Sequence, residues 1–532
     1  MLHRRSLLAG TAAIAALPLV TRQGLAATPR DVAVMAKQID DIISLDPQES
    51  FEFSGNEIGG NLYQRLVRPN VSNPDRLNGD LAQKWDISAD GLTFTFTLRS
   101  GPKFASGAAV TAEDVAFSLH RAVILNKTPG FIITQFGYTK DNVEKLIRAS
   151  GDRVVVMTLP DLQAPSFVLY CLSANIGGVV EKKIALANAK DGDMGNAWLK
   201  TNSAGSGPYQ LKSWKASEAV SLETNPHSTV KPYTKRLIIR HIPDPSAQLL
   251  SLQKADIDIA RNLETEQLKA IYGNKDFTSV ASIKASSMYL AMNQTHPALA
   301  KPQVRQAIKW AIDYAGIQKN IVPNTWVISQ AFLPKGLPAA LTDTPFRKDV
   351  AKAKALLAEA GYPAGFEVTL DHLSSAPFAD IAQAVQANLG EIGIKATLLA
   401  GEQKQVITKT RGRQHQLALL IWGSDYFDPN SNAQTFCSNP DNSDSPKLKT
   451  LAWRSSWQDA ELTKMVLTAV KELDAKKRIA MYEQMQKLHR ERSPFAIILA
   501  QQEVATMGRG VSGFKVGPMS DLTDYENITK QV

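Results

Sequence analysis

One stretch near residue 425 combines residue types that could hold a positively charged group. The apolar run Leu417–Trp422 predicts a buried strand, and it leads directly into the polar and aromatic segment Gly423–Pro429. Because α/β sheets place ligands beyond the carboxyl ends of their strands, Asp425 is a candidate for pairing with a cation that has lost its water. Trp422 and Tyr426 would flank that cation with aromatic surface. The alternative is that Asp425 only caps a turn, as Asp commonly does.

Motifs for covalent or metal chemistry are missing from the sequence. There is no CxxC, HExxH, P-loop or GxSxG pattern, and the 8 histidines are scattered without metal-ligand spacing. We therefore expect no enzyme activity, no catalytic residue, no cofactor and no metal site. The 2 cysteines, Cys171 and Cys437, lie far apart in the chain. The sequence leaves open whether they form a disulfide or remain two separate buried thiols.

The elements that must position this stretch alternate between helix and strand. Residues 351–360 and 381–389 predict helices, and the apolar runs 366–370 and 392–398 predict strands. Such alternation is typical of an α/β lobe with a mostly parallel sheet. Near the N-terminus, a further helix is predicted over Asn61–Val67.

A second region, residues 77–121, predicts a small antiparallel unit. Thr93–Leu98 alternates β-branched and apolar residues with a period of two, which predicts a strand with one buried face. Asp90-Gly91 predicts a tight turn before this strand, and Trp85–Ile87 predicts the partner strand. Thr111 is a candidate N-cap for the apolar helical run that follows it.

The spaced residues of this region resemble those of the family 5 solute-binding proteins of ABC transporters, the dipeptide- and oligopeptide-binding group. The family pattern is LA-x-x-W-x-x-S-x-DG-x-x-x-x-F-x-LR-x-G-x-x-F-x-x-G-x-x-x-TA-x-DV-x-x-S, and this chain matches it from Leu81 to Ser118. Further matches to the family are Leu45-Asp46-Pro47, Gly205–Tyr209 and Tyr289–Asn293. A scaffold role alone would explain these residues, so they indicate the family and not the ligand.

The resemblance implies a fold and a domain organisation. The fold is the α/β periplasmic-binding-protein type II, cluster C, with two lobes, an extra small domain and the ligand in the cleft between the lobes. The lobes are expected to be connected by two crossovers, near Tyr289 and near Ile498. The expected ranges are 28–60, 201–285 and 498–532 for lobe 1 (domain I), 61–200 for the extra domain II, and 286–497 for lobe 2 (domain III).

The resemblance also assigns ligand-binding residues. In peptide-binding relatives the Asp of a W-x-x-D-x-x-x-P segment pairs with the ligand's α-ammonium, and Asp425 occupies that position. Phe51 and Phe53 are candidates for the cavity wall, with core packing at a period of two as the alternative. Tyr289 lies where relatives place an aromatic residue near the cleft. The chain has no Arg near Ala379-Asp380, where dipeptide binders hold the ligand's carboxylate, so we do not expect a strict dipeptide specificity.

Residues 1–27 predict a signal peptide. Arg4-Arg5 precedes the apolar run Leu7–Val20, and small residues at 24–27 offer a cleavage site. We expect export to the periplasm by the twin-arginine route, with an ordinary secretory signal as the alternative. The net charge of +9 is spread without a basic cluster, which argues against nucleic acid as a partner.

Together these features predict a monomeric, periplasmic substrate-binding component of an ABC importer. It would capture a peptide or another amine-bearing solute in a closing cleft and deliver it to the membrane permease subunits. One alternative is the same fold with an opine, a sugar conjugate or a metal chelate as its ligand. A more distant alternative is an exported hydrolase built on the same scaffold.

Overall fold

The computed structural model describes residues 28–70, 73–446 and 448–531, so the predicted signal peptide lies outside the described residues. The strands are β1 (Val32–Lys37), β2 (Val67–Asn70), β3 (Asn73–Gly79), β4 (Ala82–Ile87), β5 (Thr93–Leu98), β6 (Ile147–Ala149), β7 (Val154–Thr158), β8 (Tyr209–Lys215), β9 (Ala219–Thr224), β10 (Arg236–His241), β11 (Ile259–Ala260), β12 (Thr278–Met292), β13 (Trp326–Ile328), β14 (Glu367–Leu373), β15 (Lys395–Gly401), β16 (Leu417–Gly423), β17 (Phe495–Met507), β18 (Val511–Ser512) and β19 (Thr529–Lys530). The α-helices are α1 (Phe53–Leu62), α2 (Ala112–Leu125), α3 (Phe131–Thr134), α4 (Val143–Leu146), α5 (Pro165–Ser173), α6 (Lys182–Ala187), α7 (Asn196–Leu199), α8 (Pro245–Gln253), α9 (Thr265–Ile271), α10 (Pro302–Ala311), α11 (Tyr314–Asn320), α12 (Val350–Glu359), α13 (Phe378–Glu391), α14 (Gln403–Arg411), α15 (Pro429–Cys437), α16 (Leu451–Arg454), α17 (Ala460–Ala469) and α18 (Ala475–Arg492).

A sheet of 11 strands extends through two α/β lobes. Its order is β15-β14-β16-β12-β17-β11-β1-β10-β9-β8, and β13 pairs with β17. In lobe 2, β14 pairs in parallel with both β15 and β16, which agrees with the helix and strand alternation of this region. In lobe 1, β1 pairs in parallel with β10 and β11.

The long antiparallel strands β12 and β17 pass through both lobes. In lobe 1 their pairing ends with Ile283 opposite Gln502, and in lobe 2 it resumes with Ser287 opposite Ala500. The β12 segment 284–286 therefore stands opposite a single residue of β17. An irregularity of this kind interrupts the ladder and bends the strand, so it marks the boundary between the lobes.

The small domain is built on a four-stranded antiparallel sheet in the order β4-β5-β7-β6. Trp85 on β4 stands opposite Phe96 on β5, so the two strands predicted around the turn do pair. Helix α2 begins with a reciprocal cap: the backbone N–H of Asp114 donates to Thr111 Oγ1, and the Thr111 N–H donates to Asp114 Oδ2 at 3.0 Å. The buried core of this domain runs along the chain from Leu66 to Val179.

One detail differs from the sequence-based expectations. The helix predicted over Asn61–Val67 is wrong, because α1 spans Phe53–Leu62 and Val67 already begins β2. Val180 and Leu199, near the end of the range expected for the small domain, pack in one buried cluster with residues of β1, β9 and β10.

Candidate ligand-binding site

A cavity of about 860 Å³ lies between the lobes, in the size range typical of small-molecule sites. Both lobes and the small domain contribute to its wall. Lobe 1 supplies Phe51 and Phe53, the small domain supplies Phe131, and lobe 2 supplies the segment 422–427. The 284–286 irregularity of β12 forms part of the same wall, so the cavity lies directly at the boundary between the lobes.

The Asp425 carboxyl lines this cavity without a partner among the described residues. The backbone N–H of Asp425 donates to Ser431 Oγ at 2.8 Å, which fixes the turn after β16. None of the described residues donates a hydrogen bond to the Asp425 carboxylate or forms an ion pair with it. Burial raises the pKa of this carboxyl to about 7, and the positive charge of Arg454 only partly opposes the rise. Asp425 is only partly buried, but a carboxylate in such a site is still costly to leave without a partner unless a ligand supplies one.

The capping role considered for Asp425 belongs instead to Asp428. Its carboxylate accepts the backbone N–H of Asn430 at 2.9 Å at the start of α15. The same carboxylate forms an ion pair with Arg478 at 2.7 Å. These contacts fully occupy Asp428, whereas the Asp425 carboxylate three residues earlier remains open to the cavity.

Four of the predicted aromatic residues line the cavity. Phe53 opens α1 and is 59% exposed, so it belongs to the wall and not to the core. Phe51 packs edge-on against Phe131 with their ring centroids 5.9 Å apart. Trp422 presents a buried indole N–H with no hydrogen-bond partner among the described residues, and Tyr426 packs on the small domain.

Tyr289 does not reach the cavity. It is 2% exposed and lies in the core of lobe 2, with its ring centroid 5.4 Å from that of Phe436 and 5.9 Å from that of Phe495. The part of β12 that lines the cavity is the irregular segment 284–286. The strand has entered the lobe 2 core by residue 289, so the expectation of an aromatic wall residue there does not hold in this structure.

Sequence reasoning missed a polar pair in the cavity wall, Asn56 of α1 and Asn175, which follows α5. Asn175 is buried, its side-chain N–H donates to Asn56 Oδ1 at 3.0 Å, and its own Oδ1 has no partner among the described residues. A Cβ added at Gly59 would lie 2.4 Å from that oxygen, so this glycine lets Asn175 approach the helix. The glycines of the α1 sequence were the one local signal of this close approach.

A buried charge network anchors the wall at the lobe boundary. Lys284 Nζ donates to Gly517 O at 2.8 Å and pairs with Glu503 at 3.1 Å. Glu503 also pairs with Arg261, whose guanidinium reaches Glu57 of α1 at 2.5 Å. The network joins β12, β17 and α1, so it fixes the position of the cavity wall relative to lobe 1.

The remaining chemical expectations concern cysteines and metals. Cys171 and Cys437 are both free and buried, and burial raises the pKa of each thiol. Within the described part of the chain, no group of three His, Cys, Asp or Glu side chains is arranged to hold a metal ion. In the same residues, no helix is both long enough and apolar enough to cross a membrane.

Two lobes joined by a pair of long strands, with an aromatic cavity between them, define a solute-binding protein of the two-lobed type. Residues 76–444 match the model of the bacterial extracellular solute-binding proteins, family 5. The chain belongs to this family, as its spaced motifs indicated. Its fold is accordingly the type II periplasmic-binding-protein fold with the ligand site between the lobes.

Similar proteins cover nearly the whole chain. The probable D,D-dipeptide-binding periplasmic protein DdpA of Escherichia coli (strain K12) is 28% identical over 499 residues, which are 93% of each chain. The solved structure of DppA from Helicobacter pylori in complex with the peptide STSA is 24% identical, with a TM-score of 0.78, and covers 94% of this chain and 98% of its own. The structure of MoaA from A. tumefaciens R10 in complex with mannopinic acid is 23% identical, with a TM-score of 0.76, and covers 95% of this chain and 100% of its own.

Proposed function

We propose that this protein captures a peptide or another amine-bearing solute in the periplasm and delivers it to the permease subunits of an ABC importer. It acts as a monomer, without covalent chemistry on its ligand, and it reaches the periplasm by the twin-arginine route. Several similar proteins are named for peptides, which supports the ligand class.

The observation that carries this proposal is the free carboxylate of Asp425. A ligand ammonium would supply the missing partner, and an ion pair with hydrogen bonds in a dry cleft offsets the desolvation of both groups. Phe51, Phe53 and Trp422 provide apolar surface for the rest of the ligand. Tyr289 has no part in this proposal because it lies in the core.

The test begins with mass spectrometry of the ligand released when natively purified protein is unfolded. The refolded protein and its Asp425→Asn variant are then titrated calorimetrically with this ligand and with its N-acetylated form. Losing one partner of a desolvated ion pair costs about 2–5 kcal/mol, so each change alone should weaken binding from roughly thirtyfold to several thousandfold.

The double change should cost little more than either single change, because both remove the same interaction. Losses that simply add would show that Asp425 does not contact the amine. Asp380→Asn is the matched control, since Asp380 is an exposed carboxylate of the same lobe that does not line the cavity. This control variant should bind as the wild type does.

The second candidate is an opine ligand. It rests on the similarity to a fold neighbour that holds mannopinic acid. An opine retains an amine and adds carboxylates, so the same mass spectrum of the released ligand separates it from a peptide.

A further inference from the structure

The cavity wall carries more basic than acidic side chains. Four basic residues, Lys284, Arg411, Lys449 and Arg454, face two acidic residues, Asp425 and Asp521. Two of these six side chains already form ion pairs with residues that do not line the cavity. Lys284 pairs with Glu503 at 3.1 Å, and Asp521 pairs with Arg65 at 2.9 Å.

The three other basic side chains all come from lobe 2, on the same side of the cleft as Asp425. Arg411 ends α14 and Arg454 ends α16, and Lys449 lies just before α16. In the described part of the chain, none of the three forms an ion pair with an acidic residue. Lys449 Nζ lies 5.0 Å from the ring centroid of Trp453, which stabilises a cation but does not neutralise it.

Arg454 is the most buried of these three cations. Its Nε donates a long hydrogen bond of 3.3 Å to Lys449 O, which leaves its terminal nitrogens without a protein acceptor among the described residues. Burial lowers the pKa of Arg454, and the nearby charge of Arg411 lowers it further. Asp425 acts on Arg454 only at a distance, since no ion pair joins them.

Only Arg454 among the three is partly buried, and its guanidinium, whose terminal nitrogens have no acceptor among the described residues, is stabilised by a ligand that brings acceptors. A carboxylate fits best, because it accepts two parallel N–H bonds from one guanidinium. If Asp425 takes an amine, three cations remain on the same wall. One carboxylate can pair with Arg454, and the positive charges of the exposed Arg411 and Lys449 favour a second carboxylate on the ligand.

We infer that the ligand carries an amine together with two or more carboxylates, the charge pattern of an acidic dipeptide. This inference rests on the proposed function, because Asp425 must be occupied by the amine for the three cations to be left over. Arg454 would hold one carboxylate inside the cavity, and Arg411 and Lys449 would hold the second nearer to its edge.

The experiment uses three probes and the full mature chain, unfolded and refolded to remove bound ligand. The dipeptides Ala-Glu and Ala-Gln have nearly the same shape but differ by one charge, and N-acetyl-Ala-Glu lacks the amine. Calorimetry at one salt concentration and pH 8 should show that Ala-Glu binds on the order of tenfold or more tightly than Ala-Gln. Arg411→Gln removes a cation that would hold the second carboxylate, so it should narrow the ratio of the two affinities, and Arg454→Gln should weaken the binding of both dipeptides.

Arg347→Gln is the control, since Arg347 is an exposed arginine of lobe 2 outside the cavity. It should leave the ratio of the two affinities unchanged. Arg411 is exposed, so its variant remains informative even if Arg454→Gln fails to fold.

The outcomes separate the two proposals. Equal binding of Ala-Glu and Ala-Gln, with weaker binding of N-acetyl-Ala-Glu, overturns the inference but leaves the proposed function in place. An acetylated probe that binds as well as Ala-Glu overturns the role of Asp425, and the inference with it. Absence of binding by all three probes overturns the inference of an acidic dipeptide, and the proposed function is then decided by the mass spectrum of the released ligand.

Discussion

The ring of Phe53 lies directly over the backbone of Gly423, across the cleft between the lobes. A Cβ placed on Gly423 would lie 3.2 Å from Phe53 Cζ and 3.3 Å from Phe53 Cε1. Phe53 is the first residue of α1 in lobe 1, and Gly423 is the last residue of β16 in lobe 2. The glycine therefore allows an aromatic ring of one lobe to reach the other beside the cavity.

We predict that Gly423→Val weakens ligand binding. The valine suits the extended backbone of β16, but its side chain would push Phe53 away from lobe 2. Overpacking costs about 1–3 kcal/mol, which corresponds to a loss of affinity of roughly fivefold to 150-fold. Calorimetry with the released ligand measures the loss. In a Phe53→Ala background, adding Gly423→Val should change the affinity little, because the ring that the valine would displace is absent. An equal loss of affinity on adding the valine in both backgrounds would contradict the role of this contact.

A second prediction concerns the stability of the ligand-free protein as a function of pH. The folded-state pKa of Asp425 is about 7, well above its ordinary value of 3.8, so the folded state binds the proton more tightly than the unfolded state does. Asp425 should therefore contribute a fall in the free energy of unfolding as the pH rises from about 4 to about 7, with a slope of at most about 1.4 kcal/mol per pH unit.

The Asp425→Asn variant should lack this pH-dependent decrease in the free energy of unfolding. The variant should match the wild type near pH 4 and be more stable near pH 8, on the order of 1–3 kcal/mol after solvent screening. Thermal unfolding scans of both proteins over this pH range measure the difference. Asp380→Asn serves again as the control, and a pH-independent difference between wild type and Asp425→Asn would contradict the raised pKa.

A third prediction concerns the pH dependence of ligand binding itself. An amine pairs with the ionised carboxylate, and with a pKa of about 7 only about 1% of Asp425 is ionised at pH 5. Affinity should thus rise from pH 5 to about pH 7, where the ligand's α-amine is still protonated, and binding near pH 6 should release close to one proton. Calorimetry in buffers of different ionisation enthalpy counts that proton. The Asp425→Asn variant should release none.

A fourth prediction concerns Asp46, the Asp of the Leu45-Asp46-Pro47 motif. Its carboxylate forms a fully buried, two-pronged pair with Arg121 of α2, with N–O distances of 3.0 Å and 2.7 Å. Arg121→Met would leave the Asp46 carboxylate buried without its cation, at a cost of about 3–5 kcal/mol in the free energy of unfolding.

An exposed ion pair on the protein surface serves as the comparison for this buried pair. Lys84 and Asp86 form an exposed pair at 3.4 Å, and Lys84→Met should cost at most about 1 kcal/mol. Urea unfolding of the two variants gives both values. Equal small costs would show that the motif's Asp is not held by Arg121.

A fifth prediction concerns export. Changing Arg4-Arg5 to Lys-Lys keeps the charge of the predicted leader but removes the twin-arginine signature. The precursor should then accumulate in the cytoplasm, as cell fractionation and immunoblotting would show. Normal accumulation of this variant in the periplasm would instead favour the ordinary secretory signal.

Short-range patterns of the sequence determined the local elements and the family. The alternation of Thr93–Leu98 and the cap at Thr111 act within a few residues, and the structure contains both. The α1 helix was placed wrongly, because Gly59 and Gly60 have low helix propensity. Tertiary packing explains why a glycine is needed in this helix. A Cβ on Gly60 would lie 2.5 Å from the backbone oxygen of Asp521, a residue far away in the chain.

The tertiary structure alone decided which side chains meet at the cavity. A strand shows which residues share a face, but only the irregularity at 284–286 decides that this segment lines the cavity while Tyr289 lies in the core. The Asp425 segment was recognisable because its residues are contiguous. Arg411 and Arg454 come from separate helices, and no spacing in the sequence links them to Asp425, because long-range packing brings them to the same wall.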